Sequence, residues 1–168
     1  MSSNLFKFRK YDLLKSEIGN ISDFQYKHFF THGRWSMHEL LLYLLSQTGR
    51  AKVSLSSFSV SDLTIQTFVK ARKECFITDF EFILNSAIKR NKLSLLLFAQ
   101  NMQTKIGLLH NHTKLILIEN ENYSIVVNQS ANATINPAHE CGVIFTSRAD
   151  FDIYKQEFEY LFSKAIIL

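Results

Sequence analysis

The sequence predicts a single α/β domain, and two observations support that prediction. Short apolar runs typical of β-strands alternate along the chain with apolar stripes at helical spacing, as expected where strands are connected through helices. The 168 residues are 46% hydrophobic and include 15 phenylalanines, so a large core can form without disulfides. One proline and five glycines leave little material for long linkers.

Capping signals place the clearest elements. Ser36 precedes an apolar stripe and has Glu39 three residues later, which is a capping box, and Gly49 is a natural stop. We predict helices over residues 36–47, 62–74, 83–90 and from 149 onward, and strands over 52–59, 93–99, 106–110, 115–118, 123–127 and 141–146. Residues 76–82 fit either a strand or the start of a helix, and residues 100–105 are expected to form a polar loop.

The first 35 residues are the least regular part of the chain. We expect residues 1–35 to be an N-terminal extension that packs on a domain formed by residues 36–168. Aromatic and basic side chains alternate there, as in Tyr26, Lys27 and Phe30. Such a segment is more often an edge strand or short helix that packs its aromatics on the core, but it can also stack bases while neutralising phosphates.

Charge and cysteine content suggest a setting for the protein. The net charge of +4 comes from an excess of basic residues before residue 112, which suits a polyanionic partner but also fits an ordinary surface. Cys75 and Cys141 lie in apolar surroundings and are predicted to be buried free thiols, as in a reducing compartment. Without an apolar stretch of signal-peptide or membrane-spanning length, we expect a cytoplasmic protein that does not bind membranes.

The candidate chemistry lies between residues 112 and 140. Two apolar runs there are bordered by polar residues, which in order are His112, Lys114, Glu119, Ser130, Asn132 and Glu140. An imidazole nucleophile, a fixed cation, neutral donors and a carboxylate that orients the imidazole can together transfer a phosphoryl group without a metal. No His, Cys or carboxylate cluster has metal-ligand spacing, so we predict neither a metal nor a cofactor.

This order of residues resembles the signature of the phospholipase D superfamily, His-x-Lys-x4-Asp followed by Gly-Ser-x-Asn. His112 and Lys114 match its histidine and lysine, and Ser130 and Asn132 match its serine and asparagine. Glu140 stands where the small single-motif nucleases of the family carry a glutamate that holds the histidine. The match is specific over residues 110–145 and extends in layout from about residue 36.

The sequence departs from the signature at two positions. Glu119 replaces the aspartate, which keeps the charge and moves it by one methylene, and Gln129 replaces the glycine before Ser130. Neither position is the nucleophile or the cation. We therefore keep Glu119 in the candidate site, where it is expected to brace the strand or Lys114 without acting on substrate.

The resemblance implies a phospholipase D-like fold, a mixed β-sheet flanked by helices in one domain. It also implies a metal-independent phosphodiesterase that cleaves nucleic acid, with DNA favoured over RNA, through a phosphohistidine on His112. Because the chain carries one copy of the motif, the implied site is shared between the subunits of a homodimer. The alternative is a catalytically silent nucleic-acid-binding module of the same fold, and a phospholipid-directed enzyme is the least favoured possibility.

Overall fold

The structure is a computed structural model that describes residues 8–88, 97–98, 100–135 and 137–168. Its elements in chain order are α1 (Tyr11–Ile18), a 3-10 turn (Ile21–Asp23), β1 (Tyr26–Phe30), α2 (Met37–Thr48), β2 (Ala51–Ser57), α3 (Asp62–Lys73), β3 (Ile77–Asn85), β4 (Lys105–Leu109), β5 (Leu115–Glu119), β6 (Ser124–Gln129), β7 (Cys141–Phe145), α4 (Arg148–Lys164) and β8 (Ile166–Ile167).

The strands form one eight-stranded sheet in the order β1-β7-β6-β5-β2-β3-β4-β8. Strands β2, β3 and β4 run parallel to one another, and the remaining neighbours are antiparallel. With these directions, the carboxyl ends of β1, β2, β3, β4 and β6 and the amino ends of β5 and β7 all lie at the same end of the sheet. The predicted mixed sheet flanked by helices is confirmed.

Helices cover both faces of this sheet. On one face, α1, α2 and α3 bury residues such as Leu14, Leu44 and Phe68 in the larger core cluster. On the other face, Phe151 and Phe158 of α4 pack with apolar side chains of β3, β5 and β6. The central strands are therefore covered on both sides, which explains why their sequences are nearly continuous apolar runs.

The capping signals located two helices correctly. Ser36 and Glu39 form the predicted capping box at the start of α2, and Gly49 ends that helix with a φ of 74°, a conformation that glycine adopts readily. Ser61 caps α3 by accepting a hydrogen bond from the Thr64 amide. Strands β2, β4, β5, β6 and β7 and helix α4 also lie within a few residues of their predicted positions.

The prediction was wrong between residues 83 and 105. Residues 83–85 continue strand β3 instead of starting a helix, because β3 is a central strand whose side chains from Phe82 to Asn85 are all buried. The predicted strand over 93–99 lies mostly outside the described residues, but Leu97 and Phe98 are helical. Residues 100–102 of the expected polar loop are helical as well, and the rest of the predicted helix after residue 88 lies outside the described residues.

Both cysteines are exposed, which corrects the prediction that they are buried. Cys75 follows α3 in a left-handed conformation with a φ of 62°, where the chain turns at the surface. Cys141 starts β7 on the part of the sheet face that α4 does not reach. Hydrophobic neighbours in the sequence therefore did not translate into burial at either position.

The N-terminal residues divide between packing and exposure. Leu14 and Ile18 of α1 are buried, and β1 joins the sheet as an edge strand beside β7 with Phe29 in the core. Tyr26 and Phe30 of the same strand are exposed. The domain boundary at residue 35 stays a prediction.

Among the described residues, no helix combines the length and the apolar composition needed to cross a membrane. The cytoplasmic location stays a prediction.

Candidate active site

Five of the six candidate residues lie at one end of the sheet, which we call the polar end: His112, Lys114, Ser130, Asn132 and Glu140. His112 and Lys114 precede β5, Ser130 and Asn132 follow β6, and Glu140 precedes β7. Because these three strands are antiparallel neighbours, the three segments meet. Backbone hydrogen bonds join them, from the Gln129 amide to the Lys114 carbonyl (3.1 Å) and from the Ser130 amide to the Cys141 carbonyl (2.9 Å).

Lys114 and His112 form a direct pair. Lys114 is only 7% exposed, and its ammonium Nζ lies 2.8 Å from Nδ1 of His112 and 2.6 Å from the His112 carbonyl oxygen. An ammonium can only donate, so a ring nitrogen that bonds to it acts as the acceptor. Burial lowers the pKa of Lys114, and the nearby charge of Glu140 partly offsets that effect.

His112 is accessible from solvent, as a nucleophile must be. Its side chain is exposed at the polar end, and its ring lies 5.1 Å from the ring of Phe58, measured between centroids. Phe58 directly follows β2 and is itself partly exposed, at 37%. The imidazole is thus bordered by an aromatic ring on one side and by the Lys114 ammonium on another.

Ser130 and Glu140 contact each other across the β6–β7 pair. The Ser130 hydroxyl donates to the Glu140 carboxylate and accepts a hydrogen bond from the Cys141 amide (3.0 Å). Thr31 holds the backbone of Glu140, with the Thr31 amide donating to the Glu140 carbonyl (2.8 Å) and the Glu140 amide donating to the Thr31 hydroxyl (3.1 Å). The orienting hydrogen bond from His112 to Glu140 stays a prediction.

Asn132 is held by the end of β2. Its Oδ1 accepts a hydrogen bond from the Phe58 amide (3.2 Å) and lies 3.4 Å from the Ser57 hydroxyl, which donates to the nearer Ser59 carbonyl (2.7 Å). The Ser57 hydroxyl in turn accepts a hydrogen bond from the Ala133 amide (2.9 Å). With its carbonyl oxygen used in this way, Asn132 offers its Nδ2 group as a donor to a ligand.

A buried network that the sequence analysis missed fixes the loop on both sides of His112. Asn85 donates to the Asn111 carbonyl (2.6 Å), and Asn111 donates from Nδ2 to Ser56 (2.8 Å). Asn111 Oδ1 accepts from both the amide (3.0 Å) and the hydroxyl (2.7 Å) of Thr113, and that hydroxyl lies 2.6 Å from Ser56 Oγ. The sequence showed only a polar Asn-x-Thr, and nothing in it revealed that Asn111 is buried.

Glu119 does not lie with the other five residues. It stands at the opposite end of β5, about 17 Å along the strand from Lys114. There its carboxylate binds Arg148 (3.0 Å) and Lys155 (2.7 Å) of α4. Burial raises the pKa of Glu119, but these two cations outweigh burial and hold the pKa below its usual value. Its inclusion in the candidate site is therefore corrected: Glu119 anchors a helix to the sheet.

Gln129, the second departure from the signature, is buried at 7% exposure. Its side chain makes no hydrogen bond within the described part of the chain. Space for it comes from Gly142, its partner across the strands, where a Cβ atom would lie 2.7 Å from the Gln129 Cβ and 2.5 Å from the ring of Phe29. A glycine on β7 thus accommodates the larger residue on β6.

Metal-ligating side chains are not clustered in the part of the chain that the structure covers. No three His, Cys, Asp or Glu residues there are placed to hold an ion together.

No protein-family model matches this sequence, and no curated protein matches it.

Solved structures match the fold. The chain is similar to Nuc from Salmonella typhimurium, described as a phospholipase D family member, with a TM-score of 0.62 and 16% identity over 85% of this chain and 97% of that one. It is similar to NucT from Helicobacter pylori, with a TM-score of 0.63 and 17% identity over 84% and 98% of the two chains. It also matches TrmBL2, an archaeal chromatin protein with a novel mode of DNA binding, with a TM-score of 0.59 and 13% identity over 93% of this chain and 60% of that one.

Identities this low show the architecture and do not transfer activity. The two Nuc-like structures are matched over nearly their whole length, so the likeness concerns one complete small domain. The chain has the phospholipase D-like fold, in the form found in the small Nuc-like members of that superfamily.

Proposed function

We propose that this protein is a metal-independent phosphodiesterase that cleaves nucleic acid, with His112 as the nucleophile. The observation that carries the proposal is the meeting of His112, Lys114, Ser130, Asn132 and Glu140 at the polar end of a phospholipase D-like fold. These side chains supply a nucleophile, a cation and neutral donors, which are the groups that phosphoryl transfer uses for attack and for charge stabilisation.

The proposed reaction begins with a shift of Lys114. Its ammonium lies 2.8 Å from Nδ1 and 3.4 Å from Nε2 of His112 and so stands against the ring that must attack. When Lys114 and Asn132 bind the non-bridging oxygens of a phosphodiester, Nδ1 becomes available to donate to Glu140. With the ring proton on Nδ1, Nε2 carries the lone pair that attacks.

In the first step, Nε2 of His112 forms a bond to phosphorus while the bond to the leaving oxygen breaks. His112 of the partner subunit, in its protonated form, gives its proton to that oxygen. The partner subunit's His112 then removes a proton from water, whose oxygen attacks phosphorus as the P–N bond breaks. The enzyme returns to its starting state, and the phosphate stays on the second product.

A site shared between two subunits follows from the single motif. The reaction needs two imidazoles, one as nucleophile and one as acid and then base, and the motif supplies one per chain. A homodimer whose two-fold axis passes near His112 provides both by symmetry.

Nucleic acid is the proposed substrate, and DNA is favoured. The net charge of +4 suits a polyanion. The fold likeness extends to Nuc-like proteins and to TrmBL2, an archaeal chromatin protein that binds DNA.

The TrmBL2 likeness also supports a second candidate function, a module of this fold that binds DNA without cleaving it.

The deciding experiment measures cleavage of labelled single- and double-stranded DNA and RNA in excess EDTA. We expect wild type to cleave DNA and His112→Ala to lose at least about a thousandfold in rate, because the nucleophile is gone. His110→Ala is the matched control, since it removes an exposed histidine two residues away, and it should keep its activity.

Three results would reject the proposal: complete loss of cleavage in EDTA, an active His112→Ala variant, or binding by both proteins without cleavage. The last result would establish the DNA-binding module. Site sharing is tested by mixing wild type with excess His112→Ala after subunit exchange. Activity should fall below the wild-type fraction through mixed dimers, and a strictly proportional fall would reject the shared site.

A further inference from the structure

The outer strand β1 exposes a row of aromatic side chains. Tyr26 and Phe30 are 64% and 62% exposed, and His28 between them is exposed as well. Alternate residues of a strand share a face, so the three rings lie side by side on one surface of the sheet. Two exposed aromatic side chains and an imidazole on one face of an edge strand make this row a candidate binding surface.

This row lies beyond the reach of α4. On the same face, Phe145 of β7 still contacts Tyr154 of α4, with ring centroids 5.9 Å apart. Farther along the strand pair, His28 lies opposite Val143 and Phe30 lies opposite Cys141. The sheet face is therefore covered over its centre and open over β1 and the start of β7.

The row leads directly to the polar end. The rings of Tyr26 and His28 are 6.1 Å apart, those of Phe30 and His32 are 6.3 Å apart, and those of His32 and His139 are 5.6 Å apart. His139 is the neighbour of Glu140. A shallow concavity of about 320 Å³ beside the row is lined by His28, Phe30, Asn128, Ser130, Cys141 and Val143, among others. One of these, Ser130, is a candidate site residue.

We propose that the aromatic row of Tyr26, His28, Phe30, His32 and His139 stacks the unpaired bases of a single-stranded nucleic acid and leads that strand to His112. The inference rests on the proposed function and names the form of its substrate. Aromatic and imidazole rings stack bases of any sequence. The described residues that line the concavity include no carboxylate, and the nearby carboxylate of Glu140 is engaged by the Ser130 hydroxyl.

A second copy of the chain fits this surface less well. An aromatic side chain buries about 150–250 Å² in total, so the exposed parts of Tyr26 and Phe30 offer roughly 250 Å² between them. A stable protein interface buries about 800 Å² per partner. The rest of the row is imidazole, which suits bases and phosphates better than an apolar contact.

The test measures the affinity of fluorescein-labelled dT15 by anisotropy, in the His112→Ala background so that the probe is not cut. The double change Tyr26→Ser with Phe30→Ser should raise the Kd for dT15 by about tenfold or more, because two stacking rings are lost. Tyr160→Ser, which removes an equally exposed ring from α4 (59%), should leave the Kd unchanged. The affinity for a 15-base-pair duplex should change by less than about twofold.

A ring-preserving variant separates stacking from folding. Tyr26→Phe with Phe30→Tyr should bind dT15 as tightly as the parent, and thermal melting should be the same for all variants, since both positions are exposed. An unchanged Kd in the serine variant, or an equal loss with Tyr160→Ser, would overturn the proposal. So would a fall in molar mass of the serine variant by light scattering, which would show that the row joins two copies.

Turnover of bis(4-nitrophenyl) phosphate distinguishes this proposal from the proposed function. This small diester needs the site but not the row, so with His112 present the serine variant should hydrolyse it as wild type does. If nothing is cleaved but the Kd for dT15 still depends on the rings, the proposed function is rejected and the stacking role of the row is supported. If cleavage occurs but the Kd for dT15 does not depend on the rings, the stacking role of the row is rejected and the proposed function is retained.

Discussion

The two ends of strand β5 carry charged residues of the same motif and use them in opposite ways. Lys114, just before the strand, is buried against the ring and the carbonyl of His112. Glu119, at the last position of the strand, holds Arg148 and Lys155 of α4. Four apolar residues of one strand therefore separate a candidate reaction centre from a structural anchor.

The pKa shifts show that the charges at the two ends of β5 have opposite effects on the stability of the fold. Burial lowers the pKa of Lys114 below its usual value, so its charge is less stable in the folded protein than in water. At Glu119 the cations outweigh burial, and the pKa of the carboxyl is lowered, so its charge is more stable when folded. The buried charge of Lys114, which the proposed chemistry requires, thus lowers the stability of the fold. The paired charge of Glu119 raises it.

Lys114→Met removes the charge at the polar end of β5. Cleavage in EDTA should fall by about 100- to 1,000-fold, because the cation that stabilises the phosphoryl oxygens is lost. The melting temperature should stay the same or rise, since a buried charge is replaced by an apolar side chain of similar length. Activity and thermal melting measured on the same preparation check both parts.

Lys155→Met is the matched control at the other end of the strand. It should leave cleavage unchanged and reduce the free energy of unfolding by about 1 kcal/mol or less, as expected for a partly exposed ion pair. If Lys155→Met lost as much activity as Lys114→Met, the two ends would not have separate roles.

The hydrogen-bond network beneath His112 should contribute to both the free energy of unfolding and the activity. Asn111→Ala should cost about 2–3 kcal/mol of unfolding free energy, because the buried Ser56 hydroxyl loses its hydrogen bond from Asn111 and the amide and hydroxyl of Thr113 lose their acceptor. The same change should lower kcat more than it raises KM, since it displaces His112. Urea unfolding and steady-state kinetics provide the two measurements.

Asn122→Ala, in the exposed turn between β5 and β6, is the control and should leave both quantities unchanged. A destabilised Asn111→Ala protein with a normal kcat would show that the network is structural only.

Sequence patterns predicted the sheet and the meeting of the five residues because both depend on local features. The capping box at Ser36, the stop at Gly49 and the apolar runs β5 and β6 are each readable within a few residues. Once β5, β6 and β7 are antiparallel neighbours, Lys114, Ser130 and Glu140 must share one end of the sheet.

Other features depend on tertiary contacts that no short window contains. Residues 83–85 look helical in isolation but are buried on both faces of a central strand. Glu119 matched its motif position, yet its role is decided by two cations that lie about 30 residues later on α4. The exposure of Cys141, Tyr26 and Phe30 depends on where α4 ends on the sheet, and the burial of Asn111 depends on Asn85 and Ser56.

The stability that Glu119 provides at the other end of β5 should depend on pH. The pKa of Glu119 is lower in the folded protein than its unfolded value of 4.5, so its stabilising charge is fully present above pH 4.5 and is lost as pH falls through the folded pKa. Glu119→Gln should therefore be less stable than wild type by about 1 kcal/mol at pH 7, and the difference should shrink toward zero as pH falls below 4.5. Urea unfolding at several pH values measures this, with Glu157→Gln on the exposed side of α4 as the control. A difference that does not depend on pH would mean that Glu119 acts through packing and not through its charge, and a loss of cleavage at pH 7 would return Glu119 to the site.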